Sequence, residues 1–251
     1  MISYEYPLSE RVRTLLRLED LYEKARFFTA KTEAAEHHVA LLLLFEILEV
    51  AGRADLKSDL LQELERQKHS LEALRGNPQI AEDALDRVLW EIDQTASRLY
   101  QMSGKFGQDL RENEWLMSIK QRTSIPGGAC EFDLPSYHFW LNQGAEQRRR
   151  DVESWLAPFQ PIYDGIAIVL RLLRESGKST QQVAYQGTFQ QMMAGRVAQM
   201  LRIRLKRDYI CVPEISANKY ALNVRFTTPG GGQRATVTET DVEFELTFCN
   251  L

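Results

Sequence analysis

The spacing of hydrophobic residues changes once along this chain, from a helical period to a strand period near residue 180. Before that point, apolar residues recur at every third or fourth position, as on one face of an α-helix. After it, they alternate with polar residues, which is typical of antiparallel strands that bury one face. The two patterns in succession predict an α+β protein. We expect a mainly helical domain over residues 1–178 and an antiparallel β domain over residues 179–251.

Start and stop signals divide the first part into separate helices. Ser9 is the expected N-cap of the first helix, and Gly52 ends a second helix that begins near Thr32. The triplet Gly76-Asn77-Pro78 is a strong stop signal for a third helix. Further helices are expected over residues 80–102, 108–119, 135–142 and 146–176, the last interrupted by Pro158 and Pro161.

Three segments of the second part alternate clearly between apolar and polar residues. Their apolar positions are Leu201, Ile203 and Leu205; Tyr220, Leu222, Val224 and Phe226; and Val242, Phe244, Leu246 and Phe248. Gly230-Gly231-Gly232 predicts a turn between the second and third segments. Residues 121–134, which contain Pro126-Gly127-Gly128, are expected to form a turn or strand junction that can join the β part.

Charge and cysteine content exclude several classes of protein. The 251 residues carry 35 acids against 31 lysines and arginines, a net charge of −4, which excludes a uniformly basic nucleic-acid coat. Three cysteines cannot all pair, and we expect reduced thiols in a cytosolic protein. No signal peptide is visible at the start, and the most apolar uncharged run, Val39 to Phe45, is far below the ~20 residues of a membrane span. We therefore expect a cytoplasmic protein without a membrane partner.

Enzyme signatures are absent from the sequence. The four histidines form neither an HExxH pattern nor a zinc-type pair with cysteine. The glycine triplet lacks the Lys-Ser/Thr of a phosphate-binding loop. We expect no catalytic residues, no metal and no cofactor. One enzymatic alternative stays open, in which Cys130 is a nucleophile paired with His138.

Charge is unevenly distributed over the predicted strands. Residues 196–225 contain seven bases and two acids, whereas residues 236–251 contain four acids and no base. One interpretation is ordinary cross-strand charge pairing. The other is a basic surface that docks an acidic peptide or a nucleic acid, and the net negative charge of the chain favours the peptide. A nucleic-acid-binding module that uses the strand arginines is the alternative to peptide binding.

Residues 121–141, which read QRTSIPGGACEFDLPSYHFWL, resemble the signature stretch of the ZapD family, the Z ring-associated protein D of bacterial cell division. The shared core is R-x-S-I-P-G-G-x-C-x-F-D-L-P-x-x-H-x-W-L. Further matches extend over nearly the whole chain. They include Tyr6-Pro7-Leu8, Leu60-Leu61, Gly107-Gln108, Pro213 and Phe244-Glu245-Leu246.

This resemblance implies a non-enzymatic dimer that binds the C-terminal tail of FtsZ, the tubulin-like division GTPase. Such a protein cross-links FtsZ filaments into bundles and lies at mid-cell with the division ring. The family's tail-binding bases correspond here to Arg53, Arg111 and Arg225. Ala221 replaces a further arginine, and we expect Lys219 to substitute for it from the strand face of Arg225. The charge count adds Arg202 and Arg204 to the candidate tail-binding residues.

Overall fold

The computed structural model describes residues 1–52, 55–102, 106–229 and 235–250, and the chain divides into two compact units. We call residues 15–169 the helical unit, and residues 1–14 together with 170–251 the β unit. Helices lie mainly in the N-terminal part and antiparallel sheets in the C-terminal part, so the predicted α+β class is confirmed.

The helices begin and end close to the predicted signals. Ser9 caps the first helix, since its Oγ accepts a hydrogen bond from the Val12 N–H at 3.2 Å. Gly52 follows the second helix, and its N–H donates to Leu48 O. The bounds are α1 Glu10–Thr29, α2 Ala34–Ala51, α3 Leu56–Glu72, α4 Glu82–Gln101, α5 Gln108–Glu112, α6 Glu114–Thr123, α7 Pro135–Leu141, α8 Ala145–Leu156, a 3-10 turn Ala157–Phe159, and α9 Gln160–Glu175.

One predicted helix, over residues 108–119, is in fact two. Asn113 ends α5 with an extended backbone and caps α6, because its side chain accepts a hydrogen bond from the Leu116 N–H at 3.0 Å. A short polar side chain that bonds to the backbone in this way competes with the helix that precedes it. The chain therefore breaks at Asn113 rather than continuing.

The β unit consists of two antiparallel sheets. Sheet A has the strand order β1-β4-β8-β2, and sheet B has the order β3-β6-β5, with β7 paired to β6. The hydrophobic core of the unit contains residues from both sheets. The strands are β1 Ile2–Pro7, β2 Ser179–Ala184, β3 Thr188–Met192, β4 Met200–Leu205, β5 Val212–Ala217, β6 Ala221–Thr228, β7 Thr236–Val237 and β8 Val242–Cys249.

The predicted alternations define the inner faces of three strands. The core between the sheets includes Leu201, Ile203 and Leu205 from β4, Leu222, Val224 and Phe226 from β6, and Val242, Phe244 and Leu246 from β8. Tyr220 is an exception to the predicted alternation, because it lies in the turn before β6 and is 64% exposed. The predicted Gly230-Gly231-Gly232 turn lies outside the described residues.

The compact units have bounds that differ from the expected division at residue 178. Strand β1 pairs with β4 in the register Ile2 to Leu205, which places the N-terminus in the β unit. The C-terminal end of α9, from Leu170, also belongs to the β unit. Residues 121–134, expected as a junction with the β part, belong instead to the helical unit, where turns follow α6.

Residues 145–175 form the one described stretch that is long and apolar enough to cross a membrane. However, 56% of its most apolar 18-residue window is buried within the protein. Core helices of soluble proteins have the same properties, because their apolar face packs against the rest of the chain. This stretch is therefore weak support for a membrane span.

Candidate functional site

Arg225 lies on the outer face of sheet B. Its neighbours along β6, Val224 and Phe226, point into the core, so strand alternation directs Arg225 to solvent. Across the sheet it lies opposite Thr188 of β3 and Glu214 of β5. Within the part of the chain that the structure describes, its guanidinium makes no hydrogen bond or ion pair. The donors of Arg225 are therefore available to a carboxylate ligand.

Lys219 does not share the strand face of Arg225. It lies with Tyr220 in the tight turn between β5 and β6, where the Asn218 side chain accepts a hydrogen bond from the Tyr220 N–H at 2.8 Å. The Lys219 ammonium lies 4.8 Å from the centre of the Tyr220 ring, a cation–π contact. Strand alternation ends before this turn, so the expected placement of Lys219 beside Arg225 is wrong.

Arg202 and Arg204 lie on the outer face of the other sheet. Both belong to β4 of sheet A, so the core of the β unit separates their face from that of Arg225. Arg204 forms an ion pair with Glu245 of β8 at 3.1 Å. The half-buried Arg202 lies opposite Glu5 and Thr247 in the strand register. The structure therefore does not bring these two arginines together with Arg225.

The outer face of sheet A is a series of paired charges. Lys206 and Glu243 form an ion pair at 2.9 Å, and Arg174 binds the Glu5 carboxylate through two hydrogen bonds of 2.8 and 2.9 Å. Together with the Arg204 ion pair, these contacts support the cross-strand interpretation of the charge pattern for β4 and β8. The same pairing removes most of the positive potential that a nucleic-acid-binding face would need.

Arg111 lies at a cleft of about 710 Å³ in the helical unit, between the end of α2 and the start of α5. Its Nη2 donates a hydrogen bond to Leu48 O at 2.7 Å, which satisfies a carbonyl in the last turn of α2. A Cβ atom on Gly52 would collide with this guanidinium, so the glycine leaves the space that Arg111 occupies. Arg53, which the family resemblance also assigns to tail binding, lies outside the described residues.

The cleft around Arg111 contains charges of both signs. Lys57 also lines it and donates to Met102 O at 2.6 Å, while Asp55 and Asp109 contribute carboxylates. Because Lys57 and Arg111 each have a backbone carbonyl partner, both are held in place before any ligand arrives. Arg111 is exposed, however, and only one of its donors is used for this bond.

An aromatic cluster holds the second half of the signature stretch in the helical unit. Tyr137 stacks on Trp140 at 5.8 Å between ring centres, and Trp115 and Trp155 lie within 6.0 Å of Trp140. The indole N–H of Trp140 donates to Asp151 Oδ2 at 2.9 Å. The stretch is therefore anchored by large buried rings whose polar atoms have partners.

His38 joins this cluster through Tyr137. The His38 Nδ1 and the Tyr137 hydroxyl lie 2.6 Å apart; Tyr137 is buried, and His38 is half-buried. Burial lowers the pKa of His38, because the charged imidazolium loses hydration. Burial likewise raises the pKa of the Tyr137 hydroxyl, whose charged form is the anion. Both groups are thereby kept neutral near pH 7.

Arg148 is a buried connecting residue that sequence patterns do not reveal. Its Nε donates to His37 Nδ1 at 3.0 Å, and its Nη2 donates to Thr32 O at 2.7 Å. Its Nη1 donates to two further carbonyls, Leu141 O and Gln143 O. One side chain thus connects the loop before α2, helix α2, the end of α7 and helix α8. The sequence offers no signal for this role, because Arg148 lies among three consecutive arginines.

The signature stretch also exposes apolar side chains. Phe132 is 80% exposed and Ile125 is 48% exposed, and both are part of the pattern that resembles the family. Phe139, on α7, is also exposed. Two turn glycines shape this segment: Gly127 has a φ of +72°, and a Cβ on Gly128 would collide with Arg122 O.

The residues of the enzymatic alternative have other contacts. His138 Nε2 lies 3.6 Å from a Glu131 carboxylate oxygen and 3.3 Å from the Asn142 amide nitrogen. Cys130 is an exposed free thiol, and no hydrogen bond joins it to His138 in the described ranges. Within those same ranges, no three His, Cys, Asp or Glu side chains are grouped so that they could hold a metal ion.

Comparison with known proteins gives consistent results. A family model described as ZapD, cell division protein, matches residues 16–225. The chain is 61% identical over its full length to the cell division protein ZapD of Azoarcus sp. (strain BH72), of which it covers 100%. It is 58% identical to that of Dechloromonas aromatica (strain RCB), with 100% of both chains covered. It is 59% identical over its full length to that of Aromatoleum aromaticum, of which it covers 98%. A match of this extent and identity shows that the chain belongs to the ZapD family of cell division proteins.

Proposed function

We propose that this protein binds the acidic C-terminal tail of FtsZ and cross-links FtsZ filaments into bundles that support Z-ring assembly. The family establishes a role in cell division. The observation that carries the finer proposal is the exposed guanidinium of Arg225, which makes no hydrogen bond or ion pair within the described residues. Such a group can grip a carboxylate through two parallel hydrogen bonds.

Arg111 is the second residue that we assign to tail binding. It occupies a cleft, and its guanidinium is already held by Leu48 O, so less side-chain freedom is lost when a ligand binds. Arg53 belongs to the proposed set through the family pattern. Lys219 is exposed in its turn and can add long-range attraction for an acidic tail. Arg202 and Arg204 become secondary, because their face already carries carboxylate partners.

Bundling needs at least two tail sites in one particle, so we propose a dimer as the active form. A short tail held by a few charged contacts binds weakly by itself. Two sites on a dimer hold tails from neighbouring filaments, and many such bridges along a filament act together through high effective concentration. The protein thus acts by binding rather than by catalysis, in the cytoplasm and at mid-cell.

The direct test is sedimentation of this protein with FtsZ filaments of the same organism, with and without the FtsZ tail. We expect co-sedimentation and bundles with intact FtsZ, and neither with filaments that lack the tail. A synthetic tail peptide should compete. If tail-less filaments sediment the protein equally well, tail binding is wrong.

A further inference from the structure

The two ends of the β unit carry different charges, and one of them is basic. Three connecting segments meet at this end: residues 176–178 before β2, residues 193–199 between β3 and β4, and residues 218–220 between β5 and β6. We call these three segments the basic tip. They contain no acidic residue and three bases, Lys178, Arg196 and Lys219.

Hydrogen bonds hold the three segments of the basic tip together. The Met193 N–H donates to Tyr220 O at 2.7 Å, which joins the second segment to the third. The Gln199 N–H donates to Cys249 O at 2.8 Å, and the next residue of the chain donates its N–H to Ser176 Oγ at 3.1 Å. The end of β8 thus joins the second segment to the first. The three bases therefore lie at one end of the β unit rather than on unrelated loops.

Exposed apolar side chains lie among these bases. Val197 is 73% exposed in the second segment, and Tyr220 is exposed in the third. The Arg196 guanidinium lies 4.6 Å from the centre of the Phe248 ring, and Lys219 makes the cation–π contact with Tyr220 described above. Positive and apolar groups are therefore interleaved at the basic tip.

The opposite end of the β unit provides a comparison, because it also exposes an apolar side chain. Ile210, between β4 and β5, is 80% exposed. The described connecting segments at this end include three acids, Asp208, Glu239 and Asp241. A single exposed apolar residue is common on protein surfaces and indicates no function by itself. The basic tip differs because its exposed apolar groups have only bases around them in the same segments.

We propose that the basic tip docks peripherally on an anionic phospholipid surface, with Val197 and Tyr220 at the level of the lipid headgroups. Each base near an anionic membrane adds attraction, and tyrosine rings favour the boundary between headgroups and acyl chains. Basic side chains keep their charged ends in the polar layer while their stems contact apolar groups. The expectation of a protein without a membrane partner concerned segments that span a bilayer, and a peripheral contact requires none. Membrane docking of this kind does not depend on tail binding.

The form of the basic tip favours a lipid surface over a peptide. Residues 193–196 form a tight turn, in which the Arg196 N–H donates to Met193 O at 2.7 Å and both Ala194 and Gly195 have positive φ. Val197 directly follows this turn. Peptides are usually recognised in grooves or by pairing with an edge strand, whereas the basic tip consists of turns and loops at strand ends. A lipid surface needs no groove, only projecting side chains of complementary chemistry.

The test is flotation of the full-length protein with lipid vesicles in the absence of FtsZ. We expect binding to vesicles of phosphatidylglycerol and phosphatidylcholine in equal parts, and none to vesicles of phosphatidylcholine alone. Val197→Glu replaces an apolar contact with a negative charge and should weaken binding to the mixed vesicles about fivefold or more.

Ile210→Glu is the matched control, because it makes the same change in charge and polarity at the opposite end of the β unit. Screening by salt limits the effect of a distant charge, so this variant should bind the mixed vesicles within about twofold of the wild type. Both side chains are largely exposed, and both variants should melt like the wild type.

Hydrogen exchange on the wild type gives a second readout that needs no variant. Amides of residues 193–199 should exchange more slowly when the mixed vesicles are present, and those of residues 206–211 should not change. The proposal is overturned if the wild type does not bind the mixed vesicles, or if it binds phosphatidylcholine vesicles equally well. It is also overturned if Val197→Glu binds like the wild type, if Ile210→Glu loses as much binding, or if residues 193–199 gain no protection.

Binding of the tail peptide separates membrane docking from the proposed function. Val197→Glu should bind the tail peptide with wild-type affinity. If it loses peptide and vesicle binding alike, the basic tip is a peptide-binding surface and the lipid proposal is overturned. Vesicle binding by a wild type that does not bind the tail supports membrane docking and contradicts the proposed function, and tail binding without vesicle binding does the reverse.

Discussion

Two arginines of the β unit, Arg204 and Arg225, differ in what surrounds them. Arg204 is paired with Glu245, whereas Arg225 is exposed on the opposite side of the β unit with no partner among the described residues. A ligand carboxylate must compete with Glu245 for Arg204 but has no competitor in contact with Arg225. The same substitution at the two positions therefore tests where the tail binds.

We expect Arg225→Gln to weaken binding of an FtsZ tail peptide by about tenfold or more, since a charge-assisted hydrogen bond contributes about 1.5–3 kcal/mol. Arg204→Gln removes the same charge and should change the affinity less than about twofold. Fluorescence anisotropy with a labelled peptide measures both. Equal losses at the two positions would indicate nonspecific charge attraction and contradict the assigned site.

Arg148 should contribute strongly to the stability of the helical unit. Arg148→Met keeps much of the side-chain volume but leaves the buried His37 Nδ1 and the partly buried carbonyls of Thr32 and Leu141 without their donor. Each unsatisfied buried group costs about 1–3 kcal/mol, so we expect a loss of about 3 kcal/mol or more in the free energy of unfolding. Denaturant unfolding measures it. Arg150→Met, two residues away and exposed, is the control and should cost less than about 0.5 kcal/mol.

His38 gives the stability of the protein a defined pH dependence. Burial lowers its pKa in the folded state, so the unfolded chain binds this proton more readily than the folded chain does. The stability that neutral His38 provides is present above its ordinary pKa near 6.5 and is lost as pH falls below that value. We expect the melting temperature to fall between pH 7.5 and 5.5, and to fall less in His38→Gln. An equally steep decline in the variant would mean that other groups cause it.

At the scale of elements, a hydrogen bond from Arg111 to Leu48 O links helices α2 and α5. Gly52→Ala should displace the Arg111 guanidinium, because the added methyl group would occupy its position. We expect this change to cost about 1 kcal/mol of stability and to weaken tail binding if Arg111 contacts the tail in this pose. Thermal melting and peptide binding measure the two effects.

A double-mutant cycle isolates this contact. In an Arg111→Ala background the collision with the guanidinium is gone and only the close contact with Leu48 O remains, so Gly52→Ala should cost less than in the wild type. Additive effects of the two changes would show that Gly52 acts on the helix end alone.

The strands that sequence periodicity predicted are those that face the core along most of their length. β4, β6 and β8 are internal strands of their sheets, and three apolar side chains of each lie between the sheets. The edge strands β3 and β5 contain few apolar residues and left no comparable pattern. β1 does alternate, through Ile2, Tyr4 and Tyr6, but it is a short segment that stands apart from the other strands, ahead of the helical part. Alternation identified the face of Arg225 correctly. It could not show that Arg202 and Arg204 belong to a different sheet, because the period of a strand carries no information about its neighbours.

At the scale of the whole molecule, bundling should be more sensitive to salt than binding of a single tail. Salt screens the attraction between arginine and carboxylate at each site, and a bundle depends on many sites at once. We expect bundles, measured by low-speed sedimentation, to disappear at a salt concentration where peptide affinity has fallen only a few-fold. If both decline together, the bridges do not act cooperatively.

The aromatic cluster has a consequence for optical measurements. All four tryptophans, Trp90, Trp115, Trp140 and Trp155, belong to the helical unit, and the last three lie within 6.0 Å of one another between neighbouring ring centres. Intrinsic indole emission therefore reports on the helical unit, and melting of the β unit alone leaves those fluorophores in place. Emission and far-ultraviolet circular dichroism, recorded on one sample, would separate the unfolding of the two units without any added label.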